Sequence, residues 1–142
     1  MKNAYANPSY AYKEARVRTA GQGQLIVMLY DEAVKQIDLA LKGLETRSKK
    51  LDSVHNAISK AQDIVTELMV SLDLDKGGDI GQSLFNLYMF FNRQLMEANV
   101  QKSPQPLRSV RNLLAQLRDS WAQIAGTQTP AAPPSPGLHI AG

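Results

Sequence analysis

No cysteine occurs among the 142 residues, which excludes disulfides and thiol chemistry and suits a reducing compartment. Histidine is scarce: with His55 and His139 alone, neither a histidine-based triad nor a histidine-rich metal site is expected. Long apolar runs are missing too. The longest, LIVMLY, is too short to cross a bilayer, and the opening MKNAYANPSYAYK lacks the apolar centre of a signal peptide. These absences predict a soluble cytoplasmic protein with no membrane insertion. An excess of one charge is also lacking, since Lys and Arg total 16 against 13 Asp and Glu, for a net +3 and a pI near 9.2. The basic residues, at Lys13, Arg16 and Arg18, at Arg47, Lys49 and Lys50, and at Arg108, Arg111 and Arg118, have no interleaved stacking aromatics, so nucleic acid is not an expected partner.

No catalytic or cofactor site emerges from what remains. In DLDKGGDIGQSL, Asp73, Asp75 and Gly78 match positions 1, 3 and 6 of a calcium loop, but Gly77 stands at position 5 and Leu84 where the bidentate Glu belongs, so no metal is expected. The same glycines follow no strand and precede no Lys-Ser/Thr pair, so they form no phosphate loop. The reading is a non-enzyme without cofactor or metal.

What the chain does have is helical periodicity. A first helix is predicted from about Gln22 to Leu44. A second carries an a/d repeat at Leu51, Val54, Ile58, Ala61, Val65, Leu68 and Leu72 and stops at DLDKGGD, where Gly77 and Gly78 permit a turn. A third is predicted from about Asp79, suited to cap it, to Gln101; SPQP then ends the connection, and Pro104 or Pro106 can open the fourth. That fourth helix repeats the a/d pattern at Leu107, Val110, Leu114, Leu117, Trp121 and Ile124. The expected fold is all-α, an antiparallel up-down-up-down four-helix bundle over residues 21–126. Residues 1–20, with Tyr5, Tyr10 and Tyr12, read as an irregular N-terminal arm, and the Pro-rich 127–142 as a disordered C-terminal tail. Asp31 with Lys35, and Asp38 with Lys42, are spaced as solvated i, i+4 ion pairs; His55 reads as a helix-flank histidine and Trp121 as a structural anchor.

Two helices are broader than a bundle seam requires. On the first, Leu25, Ile26, Leu29, Tyr30, Ala33, Val34, Ile37, Ala40 and Leu41 span about half the circumference, whereas one seam needs a stripe a little over ~100° wide. On the third, Ile80, Leu84, Leu87, Tyr88, Phe91, Leu95 and Ala98 form a core stripe, and Phe85, Met89, Met96 and Val100 form a second one roughly 100° away. Either these helices are central and touch two neighbours each, or the surplus is a partner surface. Phe and Met re-pack around varied apolar partners, and a monomer seldom leaves such a patch open. Three coverings suit it: a partner helix, the tyrosine-bearing arm, or a second copy in a homodimer.

These residues carry a resemblance. Leu25, Ile26, Leu29, Tyr30 and Asp31 reproduce an L-I-x-x-L-Y-D signature. Leu84, Leu87 and Tyr88, then Leu95, Ala98 and Asn99, reproduce L-x-x-L-Y followed by L-x-x-A-N; Leu114, Leu117, Arg118 and Trp121 reproduce L-x-x-L-R-x-x-W. In this order and spacing, over about residues 8–125, the chain resembles the FliS family of flagellar export chaperones. The family often opens its first helix with a small hydroxyl residue and Pro, where this chain has Gly21 and Gln22. The resemblance implies one-to-one binding of the disordered C-terminal region of flagellin, protection from premature polymerisation, and delivery to the export gate of the flagellar type III system. It also implies that the N-terminal segment caps the client surface, and that an anti-sigma factor or co-chaperone can be a further partner. The residues expected at the partner surface are Tyr10, Leu25, Met28, Leu29, Tyr30, Phe85, Tyr88, Met89, Met96 and Val100. From the residues alone, the competing reading is a self-associating four-helix structural or adaptor protein.

Overall fold

The computed structural model describes residues 22–46 and 50–127; the arm, including Tyr5, Tyr10 and Tyr12, and residues 128–142 lie outside the described residues. Four helices make up the described chain: α1 (Gln22–Glu45), α2 (Leu51–Val70), α3 (Leu74–Gln101) and α4 (Pro104–Thr127). No strand occurs among the described residues. α1 packs against α2 and α4, and α3 packs against the same two, so the helices form a bundle around one core. Each contributes its periodic apolar residues: Ile26, Tyr30, Ala33, Ile37, Ala40 and Leu44 from α1; Val54, Ile58, Ala61, Val65 and Leu68 from α2; Tyr88, Phe91, Leu95 and Ala98 from α3; Leu107, Val110, Leu114 and Trp121 from α4. At apolar burial of about 25 cal/mol per Å² this shared core, more than helix propensity, holds the fold.

The helix ends follow local chemistry. Thr46 Oγ1 donates to the Gly43 carbonyl at 3.0 Å behind α1, and Ser71 Oγ donates to the Leu68 carbonyl at 2.8 Å behind α2. Both satisfy carbonyls that a helix terminus leaves without partners. α3 ends where Lys102 adopts a left-handed conformation (φ 51, ψ 45), and Pro104 opens α4, where a missing N–H leaves no hydrogen bond unmade.

The second helix ends at Val70, and ahead of the third stands a turn the sequence did not predict: Leu74–Gly77, behind an extended Asp73 whose carboxylate accepts from the Lys76 N–H at 3.1 Å. The backbone then breaks at Gly78 (φ 57, ψ −137), as the Gly-Gly pair permits, and the body of α3 runs on from about Asp79 as expected. Two sequence expectations are corrected. Leu51, Ile80 and Ile124, expected in apolar stripes of the core, are 45%, 54% and 36% exposed. Leu51 and Ile124 lie in terminal turns and Ile80 follows the kink, where the flanking helices offer less cover. Finally, Asp31 and Asp38 pair across the bundle rather than along α1. Arg118 Nε reaches Asp31 at 2.7 Å and Arg111 Nε reaches Asp38 at 3.0 Å, the guanidinium spanning a gap between helices. The Asp31 hydrogen bond is the first cause of the upward shift of the Arg118 guanidinium.

Candidate partner-binding surface

The ten residues expected at a partner surface fall into three places. Tyr10 lies outside the described residues. Tyr30 and Tyr88 are in the core, 0% and 1% exposed, so they are not surface contacts in this conformation. Their hydroxyls meet in a short hydrogen bond from α1 to α3, their ring centroids are 6.4 Å apart, and Phe91 stacks obliquely on Tyr88 at 6.3 Å. Burial pushes both phenols upward; beside Tyr30, Tyr88 adds to the shift and the Trp121 indole opposes it slightly. A helical wheel places both tyrosines correctly on the inner arc but cannot show that their hydroxyls satisfy one another. That pairing makes burial tolerable.

The remaining seven divide between two helices. On α1, Leu25, Met28 and Leu29 are half-buried; Met28 lines an open depression of about 310 Å³ with Gln24, Val27, Ala122, Ala125 and Gly126, between the start of α1 and the end of α4. On α3, Phe85 is half-buried while Met89, Met96 and Val100 are 40%, 55% and 79% exposed. α1 and α3 occupy opposite corners, each packed on α2 and α4, so the two groups are not one continuous site.

The α3 stripe borders the seam with α2. At about 100° per residue, Asn92 and Asn99 lie between the core stripe and the methionines. Asn92 Nδ2 donates to Thr66 Oγ1 at 3.1 Å, and Asn99 Nδ2 is 2.9 Å from His55 Nδ1. Lys102 Nζ donates to Asn99 Oδ1 at 2.6 Å, which leaves the Asn99 amide nitrogen to donate, so His55 Nδ1 accepts. His55 is thus an exposed helix-flank residue that bonds across the α2–α3 seam. The contrast with the α1–α4 seam, bridged by Arg–Asp pairs, is chemical: the α2–α3 side is joined by side-chain hydrogen bonds of Asn92 and Asn99 to Thr66 and His55 and flanked by apolar side chains.

Several exposed apolar residues were not expected. Leu39 is 50% exposed, Val70 79%, Phe90 37% and Leu113 37%. Each sits off its helix's periodic arc, which was the available signal. Among the described residues no three His, Cys, Asp or Glu side chains converge to hold a metal ion, and no helix is long and apolar enough to cross a membrane.

Comparison with known proteins fits a helical bundle with these motifs. The family described as "Flagellar protein FliS" matches residues 1–128. The chain belongs to the FliS family. The "Flagellar secretion chaperone FliS" of Salmonella typhimurium (strain LT2) is 35% identical over 123 residues, covering 86% of this chain and 87% of that one. The protein of the same name from Bacillus subtilis (strain 168) is 31% identical over 120 residues, 84% and 87% of the two chains. That of Escherichia coli (strain K12) is 29% identical over 111 residues, 78% and 80%. Within the FliS match lie both the buried tyrosine pair and the exposed α3 stripe.

Proposed function

We propose that this protein is a cytoplasmic flagellar secretion chaperone that binds the C-terminal region of flagellin one-to-one, prevents its premature polymerisation and delivers it to the export gate. The bundle is read as up-down-up-down with antiparallel neighbours. In support, partners on α2 descend from Thr66 to His55 as those on α3 rise from Asn92 to Asn99, and Asp38 and Asp31 pair with Arg111 and Arg118 in the same reversed order. The protein acts by binding and not by catalysis.

The observation that carries the reading is the exposed stripe of Met89, Met96 and Val100 on α3 in a member of this family. An amphipathic segment that is unfolded alone gains burial by laying an apolar face on such a stripe, against an ordering cost of ~2 to 5 kcal/mol or more. Thioether chains accommodate different apolar partners with little strain. Leu25, Met28 and Leu29 form a second, separate contact, reached by a client that wraps rather than by one straight helix. Before the client binds, the arm with Tyr10 covers the stripe, its ring buried and its hydroxyl wet. Further partners, an anti-sigma factor or a co-chaperone, rest on the resemblance alone.

Light scattering tests this. The free chain is expected to run as a monomer and to form a one-to-one complex with a synthetic C-terminal flagellin peptide. A concentration-independent dimer that ignores the peptide would support the self-associating adaptor instead. Removing residues 1–15 should leave client affinity unchanged or modestly higher while raising binding of an apolar dye. Loss of affinity with no added dye binding would make the arm a direct client contact.

A further inference from the structure

The two flanks of α3 face different neighbours. Asn92 and Asn99 bond to α2, so the flank on their side of the core stripe faces α2, with the methionines farther round on the same side. At about 100° per residue Phe90 lies on the other flank, toward α4. On α4, Arg111 and Arg118 reach α1, so Leu113, about 100° from Leu114 in the opposite sense, faces α3. With α3 and α4 as the antiparallel neighbours proposed above, Phe90 stands between Leu113 and Leu117 in distance from the turn at Lys102 and Ser103.

This seam is apolar, uncharged and thinly covered. Phe90 and Leu113 are each 37% exposed and Ile124, toward the end of α4, is 36% exposed. Leu87 and Leu117, between them and the core, are half-buried. The polar positions alongside, Ser83, Gln94, Gln101 and Ser120, carry no charge, and Asp79 and Glu97 border only the outer edge of the α3 arc. Of the helix–helix seams it is also the least closely packed. The α1–α4 seam has its Arg–Asp pairs and the α2–α3 seam its asparagines, so an apolar segment meets the least polar surface here.

A segment of suitable chemistry starts beside it. α4 is described to Thr127, just past Ile124, and residues 128–142, which follow, contain no Lys, Arg, Asp or Glu. They bring no charge that would have to be desolvated on this face. Their reach suffices: residues 128–137 span up to ~31 Å as polyproline II, against ~21 Å along α4 from Thr127 back to Leu113. Leu138 and Ile140 come next, two apart, and so share one side of an extended segment while His139 points to the other. The prolines ahead of them restrict the undocked chain, which lowers the ordering cost. A short tether supplies an effective concentration of about mM, so even a contact with a dissociation constant of about mM is occupied roughly half the time.

We propose that residues 128–142 fold back along the α3–α4 seam and seat Leu138 and Ile140 against Phe90, Leu113 and Leu117, so that the chain covers its own uncharged face. The inference rests on the antiparallel order of α3 and α4 and not on the client surface, which lies on the other flank of α3.

Because the chain has no cysteine, Gly142→Cys gives the full-length protein a single site for a spin label. Amide signals of Phe90, Leu113 and Leu117 are expected to be lost to paramagnetic broadening, and those of Leu39 and Lys60, on the α1–α2 side, to be kept. Adding Leu138→Ser/Ile140→Ser, which changes nothing in the bundle, should restore the lost signals. Nuclear Overhauser contacts between the Phe90 ring and the Leu113 and Leu117 side chains check the seam itself; without them the antiparallel order fails and the proposal with it. With those contacts present, full signals at Phe90 and Leu113, or a loss that persists in Leu138→Ser/Ile140→Ser, overturns the docking alone. Mixing spin-labelled protein with isotope-labelled protein that carries no spin label distinguishes a second copy. Signal loss in that mixture would place the contact between molecules and overturn the fold-back.

Discussion

Two phenol hydroxyls at the centre of an otherwise apolar core tie α1 to α3, and their chemistry sets a pH limit on the fold. In the unfolded chain each tyrosine ionises near its ordinary value of 10.0, whereas in the folded protein burial raises both. Above about pH 10 the unfolded state therefore binds fewer protons than the native one, and stability falls as pH rises, by at most ~1.4 kcal/mol per pH unit for each tyrosine. Urea midpoints should show no contribution from this pair up to about pH 9 and a steep decline beyond pH 10. The double variant Tyr30→Phe/Tyr88→Phe should lose that portion of the decline. At neutral pH either single Phe substitution strands one buried hydroxyl and should cost ~1 to 3 kcal/mol, while the double should cost less than the sum. Additive single effects would show that the two hydroxyls do not satisfy one another.

At the scale of the helix, the sharpest constraint is Gly43. A Cβ there would stand 2.7 Å from Val54 Cγ2, a branched group itself 1% exposed, so the α1–α2 approach leaves no room for one. Alanine would gain up to ~1 kcal/mol of helix propensity, but overpacking typically costs ~1 to 3. Gly43→Ala should thus lower the urea midpoint, and Gly77→Ala, with open space around it, should raise or preserve it. Equal behaviour of the two would contradict the close approach. The sequence made the helices legible: Gln22–Glu45 is helical as its periodicity predicts, and the inner residues of α2 and α4 are buried as their a/d repeats require. What spacing could not supply was which helix stands beside which. On α1, Leu29, Val34 and Leu41 are half-buried against the core, so much of that broad face is absorbed by neighbours. On α3 the second stripe finds no such neighbour, and Met96 and Val100 stay open. A helical wheel measures angles within one helix, so identical surplus arcs had opposite fates. Gly-Gly signalled a change of direction, which Gly78 makes, but not the additional turn Leu74–Gly77 that Asp73 caps ahead of it.

For the whole molecule, stability and client binding should separate on α3. Tyr88, Phe91 and Leu95 hold the bundle, while Met89 and Met96, 40% and 55% exposed, contribute little to folding. Burying what remains of two methionine side chains under a client is worth roughly 1 kcal/mol each, given ~1.5 to 3 for a fully exposed one. The most direct measurement is the pair of numbers, client affinity by calorimetry and melting temperature, for Met89→Ser/Met96→Ser against the parent. The account predicts an affinity for the C-terminal flagellin peptide weaker by at least about tenfold, with helicity intact and melting temperature nearly unchanged. A large drop in melting temperature with unaltered affinity would place both methionines in the core and contradict the account.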